Sequence, residues 1–281
     1  MLARHGRDFF KALPLAMAGD SGAIHDMRVA GRRLRIAIRI LSHRPEGRHA
    51  NRADRLLRDL IRTAGACRDQ DVSISLLEAE LEAGGARSAD AKRLLGRLRA
   101  ARAFARHRMT EALLDQDLRT LRRELRAVLR RASSKDSVAL AQALSESARL
   151  ASGAAGEINA ILTALKGRYE AAPLHTVRTR LRRLRYAAEI TGRIAGGTAT
   201  RDSDLRATQG HLGVLHDTHV LAAWLSRQAM RTDALARTAA SLSRRFRRMS
   251  GAAHRAFEAG APLQLVHETR ATIEAAGRNL R

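Results

Sequence analysis

The sequence predicts an all-α fold of two four-helix bundles, related by pseudo-twofold symmetry and arranged around a basic central pore or cleft. Three observations lead there. Aromatic residues make up 3% of the chain and prolines number 4, against 45% hydrophobic residues overall, so aliphatic side chains on helices are the available core material. A motif of histidine and arginine recurs 150 residues after its first appearance, which signals an internal repeat. In each copy the basic residues fall at helical spacing along one stripe.

A chain of 281 residues is long enough to bury one large core or two modest ones, which excludes disorder as its ground state. Its formal charge is +24, and all of its 52 cationic side chains except Lys11, Lys92, Lys135 and Lys166 are arginine. Such a surplus repels itself unless a polyanion is the partner, and the guanidinium fork suits phosphate oxygens bidentately where an ammonium does not. Cys67 is the sole cysteine, so a disulfide framework is excluded and a reducing compartment is expected. No apolar run approaches the roughly 18 residues that span a bilayer, so no membrane span is predicted and the expected location is cytoplasmic.

Residues 1–18 read as a lead-in helix. Arg4 and Lys11 do precede a short apolar run that ends Ala16-Met17-Ala18 like a signal-peptidase site, but the run is minimal and holds Pro14, which makes an exported leader the weaker reading. Repeat one spans about residues 20–114. It opens on His25-Asp26-Met27-Arg28-Val29-Ala30-Gly31-Arg32-Arg33-Leu34-Arg35, continues through a Gly/Pro-bearing turn to Leu57–Val72, and closes with a longer fourth helix over about 88–114. Connecting helices are expected near 117–132 and over 137–167, the latter interrupted at Gly153 and Gly156. Repeat two spans about 173–258, with His175-Thr176-Val177-Arg178-Thr179-Arg180-Leu181-Arg182-Arg183-Leu184-Arg185 and then Leu205–Val220, and a C-terminal helix follows over about 262–281. Within both second segments a glycine, Gly65 or Gly213, stands four residues before an aspartate, Asp69 or Asp217. That spacing predicts a left-handed glycine closing one helix and an aspartate N-cap opening the next.

On a helix turning about 100° per residue, His25, Arg28, Arg32, Arg35 and Arg39 share a stripe roughly 80° wide. Met27, Leu34, Ile38 and Leu41 lie opposite, and Val29, Ile36 and Ile40 flank the row, so the helix is largely packed and the row faces a cleft or pore. His175, Arg178, Arg182 and Arg185 repeat the stripe, with Glu189 at the position of Arg39 and able to pair with Arg185, which assigns more of the anion affinity to the first half. Solvated faces alternate sign, because like charges at i,i+3 and i,i+4 cost a few tenths of a kcal/mol per pair. Two rows of like charge imply an anion that completes them. If both rows face one channel, the fitting ligand is a linear chain of phosphates, bound with steep salt dependence and little stereochemical selectivity. Arg99, Arg102, Arg106 on one fourth helix and Arg244, Arg248, Arg255 on the other are candidate secondary anion contacts lining the opposite wall. The row Arg119, Arg122, Arg123, Arg126, Arg130 on the 117–132 helix reads as a solvated amphipathic face.

The pair of motifs His-x-x-Arg-x-x-x-Arg-Arg-Leu-Arg and Gly-x-x-Arg-Asp-x-Asp-Val, with Leu184-Arg185-Tyr186 and Leu212 to Asp217 in the second half, resembles the conserved-histidine α-helical domain, CHAD, over nearly the whole chain. The resemblance implies the two-bundle architecture around a basic pore, binding of inorganic polyphosphate, and association with polyphosphate granules. Its implied ligands are His25, Arg28, Arg32, Arg33, Arg35 and His175, Arg178, Arg182, Arg183, Arg185. Gly31, where the family usually has a larger residue, and His216, in place of the basic or polar residue before the second aspartate, depart from its pattern. The triphosphate-hydrolysing tunnel domain of many relatives would need a β-rich segment with alternating glutamates, which this sequence does not contain.

Three rival classes remain. Non-sequence-specific nucleic-acid binding satisfies the same electrostatics, but readers of single strands and RNA add stacking aromatics, and of the eight here only Tyr186 adjoins a basic stripe. A phosphohydrolase or metal-dependent phosphate enzyme would draw on Arg4-His5-Gly6, which belongs at a strand end, or on Asp69, Asp71, His216, Asp217 and His219 as metal ligands. These last are better explained as caps and arginine partners, so no catalytic residue, metal or cofactor is predicted. A scaffold acting through the 117–132 helix is the third class.

Overall fold

In the computed structural model, residues 1–42, 47–84, 89–132, 137–196, 202–231 and 233–278 are described, and they form eleven α-helices with no strand among them. The all-α class is as the sequence predicts. The Pro45 turn of repeat one and the last residues of the C-terminal helix, 279–281, lie outside the described residues.

α1 (Leu2–Met17) buries Leu2, His5, Phe9, Leu13 and Ala16 along one stripe against α2, with Pro14 accommodated in its final turns. Gly19 adopts φ +87° in the turn that follows, and Asp20 then caps α2 (Ser21–Leu41) by accepting a hydrogen bond from Ala23 N at 2.6 Å. Buried Ile24, Met27, Leu34 and Ile38 carry the packed face of α2. Gly31 lies on that face because the space is taken: a Cβ there would stand 3.0 Å from Ile61 Cδ1 and 3.2 Å from Phe9 Cε2. The departure from the family pattern at Gly31 is thus a close approach of α2 to α1 and α3.

The helices α3 (Arg48–Thr63) and α4 (Gly65–Glu82) meet at Ala64, whereas the matching segment of repeat two is one unbroken helix, α9 (Asp202–Ala229). The capping expectation for both copies is therefore wrong. Gly65 starts α4 and Gly213 lies inside α9, neither has a positive φ, and Asp69 and Asp217 are interior helical residues. At Gly65 packing is tight, since a Cβ would stand 3.3 Å from Arg28 Nη1, whereas a Cβ at Gly213 would make ordinary contact at 3.9 Å with Arg178 Nη2.

α5 (Ala89–Leu114) is followed by α6 (Leu118–Ala132), whose first turn is held by Asp117 accepting from Thr120 N at 2.8 Å. α7 (Ser137–Leu165) runs without a break through Gly153 and Gly156, contrary to expectation. Both glycines are exposed, and the buried Ala151, Ala154, Ala155 and Ile158 between and beside them keep the helix docked, outweighing about 1 kcal/mol of propensity per glycine. α8 (Ala171–Ile194) carries the second motif, and α10 (Ala236–Ala259) and α11 (Pro262–Arg278) complete the chain.

Buried side chains are not divided by repeat. The larger apolar cluster joins Phe9, Met27, Leu34 and Leu57 of the first half to Ile158, Leu181, Leu184 and Val266 of the second. A smaller one joins Leu77, Leu94 and Leu98 on α4 and α5 to Leu221, Leu225, Leu242 and Phe246 on α9 and α10. With α2 packed on α8 and α4 on α9, the two motif helices are brought side by side.

Candidate anion-binding cleft

α2 and α8 turn their arginine rows toward each other. Arg32, Arg35 and Arg39 from α2 and Arg182 and Arg183 from α8 line a single cavity of about 90 Å³, together with Thr179, Tyr186, Asp54 and Leu150. Of the other predicted ligands, His25, Arg28, Arg33, His175, Arg178 and Arg185 are not among its lining residues.

Like charges at this spacing leave a clear electrostatic imprint. Burial, then the charge of Arg28, pushes the Arg32 guanidinium down to about 10; burial, then Arg32, pushes Arg182 down to about 9. Arg28 is lowered as well, by burial and by Arg182, Arg68 and Arg178, with Asp69 opposing. The Nε atoms of Arg32, Arg33 and Arg178 are buried without a hydrogen-bond partner among the described residues. A buried charged donor without an acceptor is costly, so these positions favour an anion strongly.

The acidic side chains nearby divide into two groups. Asp54 on α3 holds Arg35 in a bidentate pair, 2.7 Å to Nε and 3.2 Å to Nη2, and also takes Arg58 at 2.5 Å. Arg35 is therefore paired to a carboxylate it shares with Arg58, which offsets part of the first row's charge. Arg28 Nη1 donates to the Ile61 carbonyl. On α8, Arg185 Nε donates to Gln209 at 2.9 Å, while Glu189 reaches Arg33 at 3.6 Å and Arg193 at 3.3 Å. Asp69 and Asp217 lie outside the cavity lining, and their carboxyls are raised by burial, with Arg28 and Arg178 the main opposing charges on Asp69 and Arg178 the main one on Asp217.

His25 and His175 sit exposed at the starts of their rows, and His175 Nδ1 lies 3.2 Å from His216 Nδ1. Burial and neighbouring arginines lower all three imidazoles, His216 to about 4. A histidine whose pKa falls on folding takes up a proton more readily in the unfolded chain. It withdraws stability as pH drops below about 6.5, and the loss levels off below the native value. The expected result is a thermal midpoint that declines from pH 7 toward pH 4, with a shallower decline in His216→Asn; superimposable midpoint curves for the two proteins would remove His216 from the cause.

The secondary candidates do not line this cavity. Arg99 pairs with Glu78 at 2.7 Å, Arg102 with Asp71 at 2.8 Å and the Gly19 carbonyl at 2.7 Å, and Arg106 with the Ala18 carbonyl, so this row clasps the α1–α2 turn. Arg244, Arg248 and Arg255 are exposed on α10. Sequence reasoning missed Arg68, whose charge acts on His25, Arg28 and Arg32. Its position in the repeat, matching His216, was the available signal. Among the described residues no group of three or more His, Cys, Asp or Glu is placed to hold a metal ion. Arg4-His5-Gly6 lies in α1, away from any strand end.

A family model described as CHAD domain matches residues 1–226. Two solved structures resemble the chain: PptA from Streptomyces chartreusis, with TM-score 0.67, 20% identity and coverage of 93% of this chain and 96% of that one, and the CHAD domain from the plant Ricinus communis, with TM-score 0.64, 22% identity and coverage of 92% and 88%. No curated protein matches it in sequence.

Proposed function

Since the chain belongs to the CHAD domain family, we propose that it binds inorganic polyphosphate in the cleft between α2 and α8 and holds the polymer without cleaving it. One observation carries the reading: Arg32 of α2 and Arg182 of α8 line one cavity, where burial first and then repulsion from each other and from Arg28 and Arg178 depress their guanidiniums. A phosphate chain relieves that repulsion at every step along the row. Guanidinium groups neither attack nor shuttle protons near pH 7, which favours binding over turnover. The polymer would place the protein on polyphosphate granules, and no described helix is long and apolar enough to cross a membrane.

Nucleic acid is disfavoured by the one aromatic beside the rows. Tyr186 is 4% exposed and covered by Arg185 at 4.8 Å and Arg33 at 5.5 Å from its ring centroid, so it offers no face for a base. The test is a titration with labelled polyphosphate over a salt series, with unlabelled duplex DNA and RNA as competitors. Affinity is expected to fall steeply between 50 and 200 mM salt, about tenfold or more, with competition by polyphosphate far stronger than by either nucleic acid. Equal competition at equal phosphate would move the reading to general nucleic-acid binding. Phosphate release above background, with or without Mg²⁺, would make the protein an enzyme.

A further inference from the structure

A groove of about 520 Å³ runs between α1 and α6. Its floor is apolar, formed by Ala3, Gly6, Phe10, Leu125 and Leu129, and its rim carries Arg7, Lys11, Arg122 and Arg126. All four cations are exposed, and Arg122 lies over the Phe10 ring at 4.6 Å from its centroid. The lining holds no acidic side chain; Lys11 is shared with the neighbouring α1–α2 groove, which Asp8 lines. The groove shares no residue with the α2–α8 cavity.

We infer that this groove is the docking site for an acidic amphipathic helix of a partner protein. The two stretches of lining, Ala3 to Lys11 and Arg122 to Leu129, each cover about two helical turns, or roughly 12 Å, so the occupant is a short helical segment with apolar residues at i, i+3, i+4 and i+7 and carboxylates beside them. Its apolar edge would cover the half-buried Phe10 and Leu129 above Leu125, and its acids would meet the four rim cations.

Other occupants fit less well. A bare polyphosphate chain has no apolar surface to place on Phe10 or the leucines. A bilayer surface takes protruding apolar side chains, whereas Leu125 here is 5% exposed and lies beneath a rim of guanidinium groups. A second copy would bring two chains of formal charge +24 together. The surface thus gives the 117–132 helix a purpose beyond a solvated face, and it leaves the phosphate cleft free while a partner is held.

Gly6 supplies the decisive probe. A Cβ at this position meets nothing within 4 Å, so Gly6→Leu fills the groove while improving helix propensity. Binding is measured by fluorescence anisotropy with an 18-residue peptide of leucines at i, i+3, i+4, i+7 and glutamates elsewhere. A scrambled peptide of the same composition, and vesicles of phosphatidylcholine with phosphatidylglycerol, are run alongside. The ordered peptide is expected to bind at least tenfold more tightly than the scrambled one. Gly6→Leu and, independently, Arg122→Glu/Arg126→Glu should each weaken it at least tenfold, with unchanged circular dichroism and polyphosphate affinity. Arg32→Ala/Arg182→Ala should bind the peptide as wild type does, which separates this site from the phosphate cleft. Equal binding of both peptides, insensitivity to Gly6→Leu and to the charge reversal, or vesicle binding sensitive to Gly6→Leu without peptide binding would each overturn the inference.

Discussion

Replacing Arg32 and Arg182 together by alanine is expected to weaken polyphosphate binding by about a hundredfold or more while leaving the thermal midpoint of the free protein equal to or above that of wild type. The two parts of this result have one cause. A charge-assisted hydrogen bond to phosphate contributes about 1.5–3 kcal/mol, so two lost contacts amount to roughly 3–6 kcal/mol, or a factor of about 10² to 10⁴ in Kd. Without ligand, the same two guanidiniums oppose folding. Their pKa values of about 10 and 9 lie below the ordinary arginine value, which means the folded chain holds these protons less tightly than the unfolded one. At pH 7 both are charged at a net cost, and removing them lifts it. Polyphosphate should accordingly raise the midpoint of wild type much more than that of the variant. A variant that loses stability and affinity in parallel would show that the pair acts as core structure, and the cleft would lose its claim to be the binding site.

The second large effect concerns the α1–α2–α3 junction. Gly31→Leu is expected to destabilise the protein by several kcal/mol, because even its Cβ would stand 3.0 Å from Ile61 and 3.2 Å from Phe9, and the rest of the side chain has nowhere to go. Overpacking of this kind costs about 1–3 kcal/mol per modest insertion and more for a whole side chain. Phe9→Ala, at a position with 0% exposure, is expected to cost about 3–5 kcal/mol by opening a cavity at the same place. Since one change adds volume where the other removes it, the double variant should be less destabilised than the sum of the two, by about 1 kcal/mol or more. Strict additivity in urea denaturation would mean that Phe9 and Gly31 do not share the space the structure assigns them.

Much of this was legible in residue spacing. The scarcity of aromatics and prolines pointed to the all-α class, and the 150-residue repeat located α2 and α8 and placed Arg28, Arg32, Arg178 and Arg182 on single stripes. Periodicity fixes which residues share a face. It carries no information about which faces meet, so the pairing of Arg35 with Asp54 from α3 and the use of Arg102 and Arg106 to hold the turn before α2 could not be read. The glycine errors have a different origin. Local backbone preference makes Gly65, Gly153, Gly156 and Gly213 helix breakers, and tertiary packing overrides it: Gly153 and Gly156 lie exposed on a docked helix, Gly65 packs closely under Arg28, and Gly213 lies inside the unbroken α9. Arg68 stood in the motif throughout, but its reach across to His25 depends on the α3–α4 junction at Ala64.

The distribution of buried residues bears on how the cationic groove keeps its width. Leu77, Leu94 and Leu98 find their partners on α9 and α10, and Phe9 and Leu57 share a cluster with Leu181 and Val266, so each half of the chain completes the interior of the other. The duplicated unit is consequently a unit of sequence without being a unit of stability. Interlocking of this kind fixes the separation of two mutually repelling walls in the folded chain, so a polyanion that entered would meet arginines whose ordering entropy has already been met.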